Sequence, residues 1–440
     1  MRALALSAAL MAAAGSAQWS AASAYTMKTL FTFCDQFHNC NGNSPAGGLV
    51  MDGAGNLYGT TFFGSGGSGQ GTIFELIPNA KKTSWRYKLL FACKNENCTA
   101  LNDPVGSLII DTAGNLYGVT IHGGTKGSGN AFELSPNADR TRWTIKNIYN
   151  FCAGDGCTGS IGLAYGLTYV GAPTGALYDG VSPLYGSTTI GGAYNGGTVF
   201  QLTSVSGAKT WHQKILYSFQ PGGLAGDGGA NPVTSLLVDA QENIYGTNNT
   251  SSTAGTVFEL TPNSKKTKWT QVLLYPFGCD LHGSCPDGGF PQAGVIMDAS
   301  GNLFGTTSVG YAGANCNPGA STCGTVFKLV PGVSPQYSVL HSFCTEVDCA
   351  DGDVPSQDLI MDGSGNLFGV THSGGANDGG AIFEISGATE QVIYSFCAQT
   401  SCADGQHPNN VIRDSSGNLY GMTTDGGSPF GGGVVFELVP

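Results

Sequence analysis

Charged side chains are scarce in this chain of 440 residues, at 11% of the total against about a quarter in ordinary soluble domains. Basic residues are the scarcer kind, 18 Lys and Arg against 30 Asp and Glu, for a formal net charge of −12. That balance argues against nucleic acid and anionic membrane as partners. Beyond the first 24 residues no run approaches the roughly 20 apolar residues of a membrane span, so no spanning segment is expected. A G-x-S-x-G elbow, a P-loop, a dinucleotide fingerprint and an H-E-x-x-H pair are all missing, which removes the common hydrolase, nucleotide and zinc-protease chemistries. The few arginines, among them Arg86, Arg140, Arg142 and Arg413, fall on predicted outer strands, turns or the end of an inner strand. No arginine cluster for an acidic sugar is therefore expected.

Glycine is abundant instead, 69 residues, about twice the usual share. Much of it belongs to one short phrase written seven times: GNLYGTT from Gly55, GNLYGVT from Gly114, SPLYGSTT from Ser182, ENIYGTN from Glu242, GNLFGTT from Gly301, GNLFGVT from Gly365 and GNLYGMTT from Gly417. The central glycines, Gly59, Gly118, Gly186, Gly246, Gly305, Gly369 and Gly421, are spaced 52 to 68 residues apart. That period is too long for a solenoid and somewhat above common propeller repeats, so the surplus belongs in loops.

The pattern predicts an all-β, seven-bladed β-propeller of four-stranded blades. The fourth unit shows it most cleanly, with strands over 235–239, 243–247, 255–261 and 268–275 separated by turn residues. The chain opens on an outer-strand pattern, YTMKTLFTF from Tyr25, and ends on a third-strand pattern, VVFELVP. The N-terminal strand should therefore complete the last blade and close the ring, leaving no exposed sheet edge. Arg2, an Ala/Leu-rich run and Ala22-Ser23-Ala24 read as a signal peptide over 1–24. A single propeller domain over 25–440 is expected to follow, exported to the periplasm or the extracellular space.

All fourteen cysteines fall into close pairs: Cys34/Cys40, Cys93/Cys98, Cys152/Cys157, Cys279/Cys285, Cys316/Cys323, Cys344/Cys349 and Cys397/Cys402. An even count in an exported chain argues for disulfides, here stapling short loops. Inter-blade loops carry most of these pairs, so one face of the ring should bear the long, stapled, acidic loops. The third-to-fourth-strand turns, with Lys82, Arg140 and Lys266, should make the opposite face basic.

Candidate ligand residues lie in the long loops. Asp287, Asp351 and Asp404 occupy a D-G-x-x-P approach to the inner strand, and Asp227 sits in a longer version of it. Carboxylates ringing the channel mouth would suit Ca²⁺ or sugar hydroxyls, whereas the competing reading is plain Asp-Gly turn chemistry. His122 and His372 follow second strands and could act as bases or ligands, or be solvated loop residues. Tyr194 and Tyr311 are loop aromatics that could form a sugar platform or cap the blade tops. The D-x-x-G-N aspartates recur too regularly for a single site and read as structural. The third unit departs most from the pattern, with 170–183 inserted before its second strand.

At GNLYGTT…GGTVFEL, repeated through nearly the whole mature chain, the sequence resembles the GloVer-type tandem-repeat proteins, the choice-of-anchor tandem repeat family of exported bacterial repeats. The resemblance implies bacterial export and supplies no catalytic residues. The leading expectation is a binding module, acting as a monomer, whose acidic loop face takes a neutral glycan, a cation or a protein partner, with no cofactor apart from a candidate Ca²⁺. The alternatives are a carbohydrate-active enzyme (glycoside hydrolase or polysaccharide lyase) on the same face, and a structural surface protein without a small ligand.

Overall fold

The repeated phrase forms the second strand of every blade, and its glycine has a steric reason. In the fourth blade Gly246 lies in register with Phe258 of the third strand, and a Cβ on Gly246 would stand 2.7 Å from Phe258 Cζ and 2.9 Å from Leu236 Cδ2. The same glycine–phenylalanine pairing recurs in all seven blades, with ring atoms 2.5 to 2.7 Å from the notional Cβ. A third-strand Phe lies flat across the second strand only where that strand has no side chain.

The structure, a computed structural model, describes residues 25–34, 42–64, 70–93, 99–151, 161–163, 166–205, 211–220, 229–232, 234–249, 254–279, 285–310, 323–427 and 431–440. Their strands form seven antiparallel four-stranded sheets arranged as a ring. Blade 4 comprises Leu237–Val238, Ile244–Asn248, Thr256–Pro262 and Trp269–Pro276. In blade 7, Gln406–Arg413, Leu419–Asp425 and Val434–Val439 are completed by Thr26–Thr32, which pairs antiparallel from Thr26↔Val439 to Thr32↔Val434. The ring therefore closes as the sequence predicts.

Two repeated contacts join neighbouring blades. A Phe just after the outer strand of one blade packs on the third-strand Phe of the next, as in Phe33–Phe74, Phe219–Phe258 and Phe396–Phe436 at 5.1 to 5.3 Å between ring centres, each such pair adding about 1 kcal/mol beyond its buried area. In six blades, all but blade 3, a Pro that leads into the inner strand also abuts the glycine opening the third strand of the preceding blade. A Cβ at Gly255 would lie 2.4 Å from Pro291 Cδ, and one at Gly433 would lie 2.8 Å from Pro45 Cδ. The residue before this proline is left-handed in every case described: Ser44, Asp103, Asn231, Phe290, Val354 and His407, with φ between 52° and 57°. Non-glycine residues rarely adopt that conformation, and a following proline does not favour it. Part of the compensation is visible, because the amides of Asn231, Phe290 and His407 reach carbonyls of the blade before, Gly196, Ala254 and Gly379, at 2.6 to 2.8 Å.

Disulfides join Cys279–Cys285, Cys344–Cys349 and Cys397–Cys402, each closing a short loop worth about 2 kcal/mol in the chain-entropy view. Cys34, Cys93 and Cys323 are also disulfide-bonded. Cys40, Cys98, Cys152, Cys157 and Cys316 lie outside the described residues, as do Asp227, Tyr311 and the 1–24 segment. Among the described residues no helix is long and apolar enough to cross a membrane.

Candidate functional site

Asp351 and Asp404 are almost wholly buried, at 1% and 0% exposure. Instead of lining the axial mouth, they turn toward the outer strand of the preceding blade and organise its disulfide loop. Asp404 accepts hydrogen bonds from Tyr394 Oη at 2.7 Å and from the amides of Ala398 and Gln399 at 3.0 and 3.1 Å. Asp351 accepts the Thr345 amide and hydroxyl at 2.9 and 2.7 Å, with His341 Nε2 3.6 Å away. Burial alone would raise the Asp351 carboxyl, but the neighbouring His341 and the bonds from Thr345 outweigh it and hold it below the usual carboxylate range. Asp287 accepts the Tyr275 hydroxyl through its carboxylate and the Tyr337 hydroxyl through its carbonyl. A signal for this arrangement lies in the sequence: blades whose loop carries Asp-Gly have Tyr275, His341 or Tyr394 at one outer-strand position, whereas Phe91 stands there in blade 1, whose following loop has no Asp-Gly.

The D-x-x-G-N aspartates are also internal. Asp52 Oδ1 accepts the amides of Ala54 and Asn56, and its Oδ2 accepts Asn56 Nδ2, at 2.8 to 2.9 Å; Asp239, Asp298, Asp362 and Asp414 repeat the pattern. The basic turns beside them are partly neutralised, with Lys82 3.3 Å from Asp414 and Lys266 2.5 Å from Glu242. The basic charge of that face is thus offset in part by local ion pairs.

The histidines behave differently. His372, at the end of the second strand of blade 6, stacks on His407, the left-handed residue leading into blade 7, with ring centres 4.5 Å apart and planes 16° apart. His407 Nδ1 lies 3.0 Å from Asp425 Oδ2. Burial and then the neighbouring His407 charge push His372 below the usual imidazole range, while Asp425 and Asp353 pull the other way. Asp353 is raised, first by burial, although it accepts the Cys323 amide at 2.7 Å. On blade 2, exposed His122 pairs with Asp103 at 2.6 Å. Tyr194 is 57% exposed in a loop of blade 3. Sequence reading singled out His372 but not its union with His407 and Asp425; the pre-proline position of His407 was the available signal.

A second titratable cluster lies between the outer strands of blades 5 and 6. Glu390 Oε1 is buried without a hydrogen-bond partner, and the carboxyl is pushed up to about 7, by burial first, with His341 opposing and Asp351 and Glu346 adding to it. Because its folded pKa lies above the unfolded value of about 4.3, Glu390 contributes stability that is fully present below pH 4 and lost as pH rises through 7. Glu390→Gln is expected to leave the urea midpoint at pH 4 unchanged and to raise stability at pH 8 by about 1–2 kcal/mol, a figure reduced for solvent screening of a partly exposed group. Equal effects at both pH values would contradict this assignment.

Along the ring axis the inner strands meet in a narrow polar waist. Gly47 approaches Gly106 so closely that a Cβ would lie 2.2 Å from its carbonyl oxygen. Asp358 accepts the Gly294 amide across the blade boundary at 2.7 Å, and burial raises its carboxyl.

Seven four-stranded blades closed by the N-terminal strand, with disulfide-stapled loops on one face, define a β-propeller built for an oxidising compartment. Residues 311–440 match the Gloeobacter/Verrucomicrobia repeat, and with the phrase carried through every blade the chain has the make-up of a GloVer-type repeat protein. Among solved structures it is similar to PorZ, a surface component of the type-IX secretion system of Porphyromonas gingivalis, at 12% identity and TM-score 0.52 over 90% of this chain and 47% of PorZ. The chain thus spans about half of the PorZ length. It is also similar to a PL25 ulvan lyase, at 10% identity and TM-score 0.50 over 93% of this chain and 95% of the lyase. An α-L-arabinofuranosidase from Fusarium graminearum aligns at 13% identity and TM-score 0.44 over 94% and 98% of the two chains. At these identities the likeness is one of fold. No curated protein matches the chain in sequence.

Proposed function

We propose that this is an exported binding propeller whose stapled loop face engages a neutral glycan. The observation that carries the reading is the His372/His407 plate with Asp425 at hydrogen-bonding distance from His407. A flat pair of rings offers a stacking surface to the apolar face of a sugar, and adjacent carboxylates accept its hydroxyls. Asp353 and Asp378 add negative charge nearby, which favours neutral over acidic saccharides. The ulvan lyase, which shares the fold, has been captured with the acidic saccharide -[GlcA(1-4)Rha3S]-, so the scaffold can hold a saccharide, and the preference for a neutral one rests on the carboxylates of this chain.

Calorimetric titration of the purified protein with neutral oligosaccharides tests the reading. At least one is expected to bind, and His407→Ala and His372→Ala are each expected to weaken it about tenfold or more, the loss of roughly 1.4 kcal/mol, with the unfolding midpoint nearly unchanged. A blank across the neutral panel, or binding indifferent to both variants, would sink the proposal. A second reading, polysaccharide lyase chemistry, is favoured by the His407–Asp425 hydrogen bond, which can orient an imidazole as a base. Unsaturated products from the same panel would decide for it.

A further inference from the structure

We propose that the axial lumen on the side away from the stapled loops is a binding chamber for an alkyl chain. The ends of six inner strands bring apolar residues to the axis, among them, two residues before the turn aspartate, Val50, Ile109, Leu237, Ile296, Ile360 and Ile412. Leu49, Leu236 and Val295, each one residue earlier, are buried, whereas Leu108 and Leu359 at the same step also reach the cavity. The axial set lines a cavity of about 660 Å³, within the usual range for small-molecule sites. The polar waist narrows it on the loop side.

Across the other side lies a segment that only blade 3 possesses. Residues 169–177 of its insertion contribute to the wall, and the segment is pinned by a bridge between Tyr178 and Asp111 of blade 2, with the Tyr178 ring buried edge-on against Tyr117 at 5.2 Å. The insertion, anchored by Tyr178 in the core between blades 2 and 3, thus gives the chamber a wall of its own.

The chemistry of the wall selects the ligand class. Its polar side chains are already engaged: the Tyr169 hydroxyl donates to the Ala176 carbonyl at 2.5 Å and the Thr174 hydroxyl to the Gly171 carbonyl at 2.7 Å. A sugar placed there would find few free side-chain partners for its hydroxyls, whereas an alkyl chain requires none. Ile296, Met297, Ile360 and Met361 are only half-buried, and Leu177 is 48% exposed. Contiguous apolar surface left uncovered marks a place where something docks, and unbranched methionines adapt readily to a flexible chain. The polar head of such an amphiphile would remain in water at the open side.

The probe is a series of 1-alkanols, hexanol to decanol, titrated into the intact protein and followed by calorimetry and by the methyl NMR signals of methionine. Affinity is expected to rise roughly fourfold per added methylene, the equivalent of about 0.8 kcal/mol. The Met51, Met297 and Met361 methyls should shift, while Met422, buried in blade 7, should not. The double variant Ile296→Phe/Ile360→Phe, which fills the lumen, should weaken decanol at least tenfold. Affinity independent of chain length, or methyl shifts that spare the three lumen methionines, overturns the proposal even if the filled variant fails to fold. The result is independent of the glycan panel, since that reading concerns the opposite face.

Discussion

Replacing Gly246 by alanine is expected to destabilise the protein by about 3 kcal/mol, the upper end of overpacking effects, although only one methyl group is added. The new Cβ meets Phe258 Cζ and Leu236 Cδ2 inside 3 Å, and neither can retreat: Phe258 is wholly buried and braced by Phe219 of the blade before at 5.2 Å. The cause is therefore specific to the ring opposite. Phe258→Leu, although costly alone, should recover part of the loss when combined with Gly246→Ala, giving a coupling of more than 1 kcal/mol in a double-mutant cycle read by urea unfolding. Strict additivity would show that the glycine is required for backbone reasons instead.

Asp404→Ala is expected to cost about 2–3 kcal/mol. It deletes an acceptor, itself buried, that serves a tyrosine hydroxyl and two amides at once in part-buried bonds, and the loop loses all three together. Asp404→Asn, which retains a carbonyl acceptor, should lose about half as much, and Tyr394→Phe about 1 kcal/mol. Glycan binding at His372 and His407 should persist in all three at temperatures where they are folded. If Asp404→Ala abolished binding at unchanged stability, the carboxylate would belong to the ligand site and not to the loop.

The D-G-x-x-P carboxylates show where sequence reasoning reaches its limit. Asp-Gly before a proline is legible as a turn, and the turn is there. Whether the carboxylate faces the axial mouth or the outer strand depends on a backbone turn that no pattern of residue types states. Phe290, Val354 and His407 share one left-handed pre-proline position although their side chains have nothing in common. That conformation follows from how the proline must seat on a glycine of the preceding blade. The His372/His407 stack was illegible for a related reason: the two rings lie 35 residues apart on different blades and meet only once the second strand of blade 6 is set beside the inner strand of blade 7.

The sequence by itself determined the number of blades, the part played by each strand, the closure by the N-terminal strand and the pairing of Cys279/Cys285, Cys344/Cys349 and Cys397/Cys402. All of these rest on local period, local spacing or complementary chain ends, which survive in one dimension. Only the tertiary structure decided that Asp351 and Asp404 are buried acceptors, that two histidines form one plate beside Asp425, and that the blade 3 insertion walls an apolar lumen. Those outcomes depend on which side chains from different blades converge, and convergence is set by the ring geometry, to which each repeat contributes but which no single repeat contains.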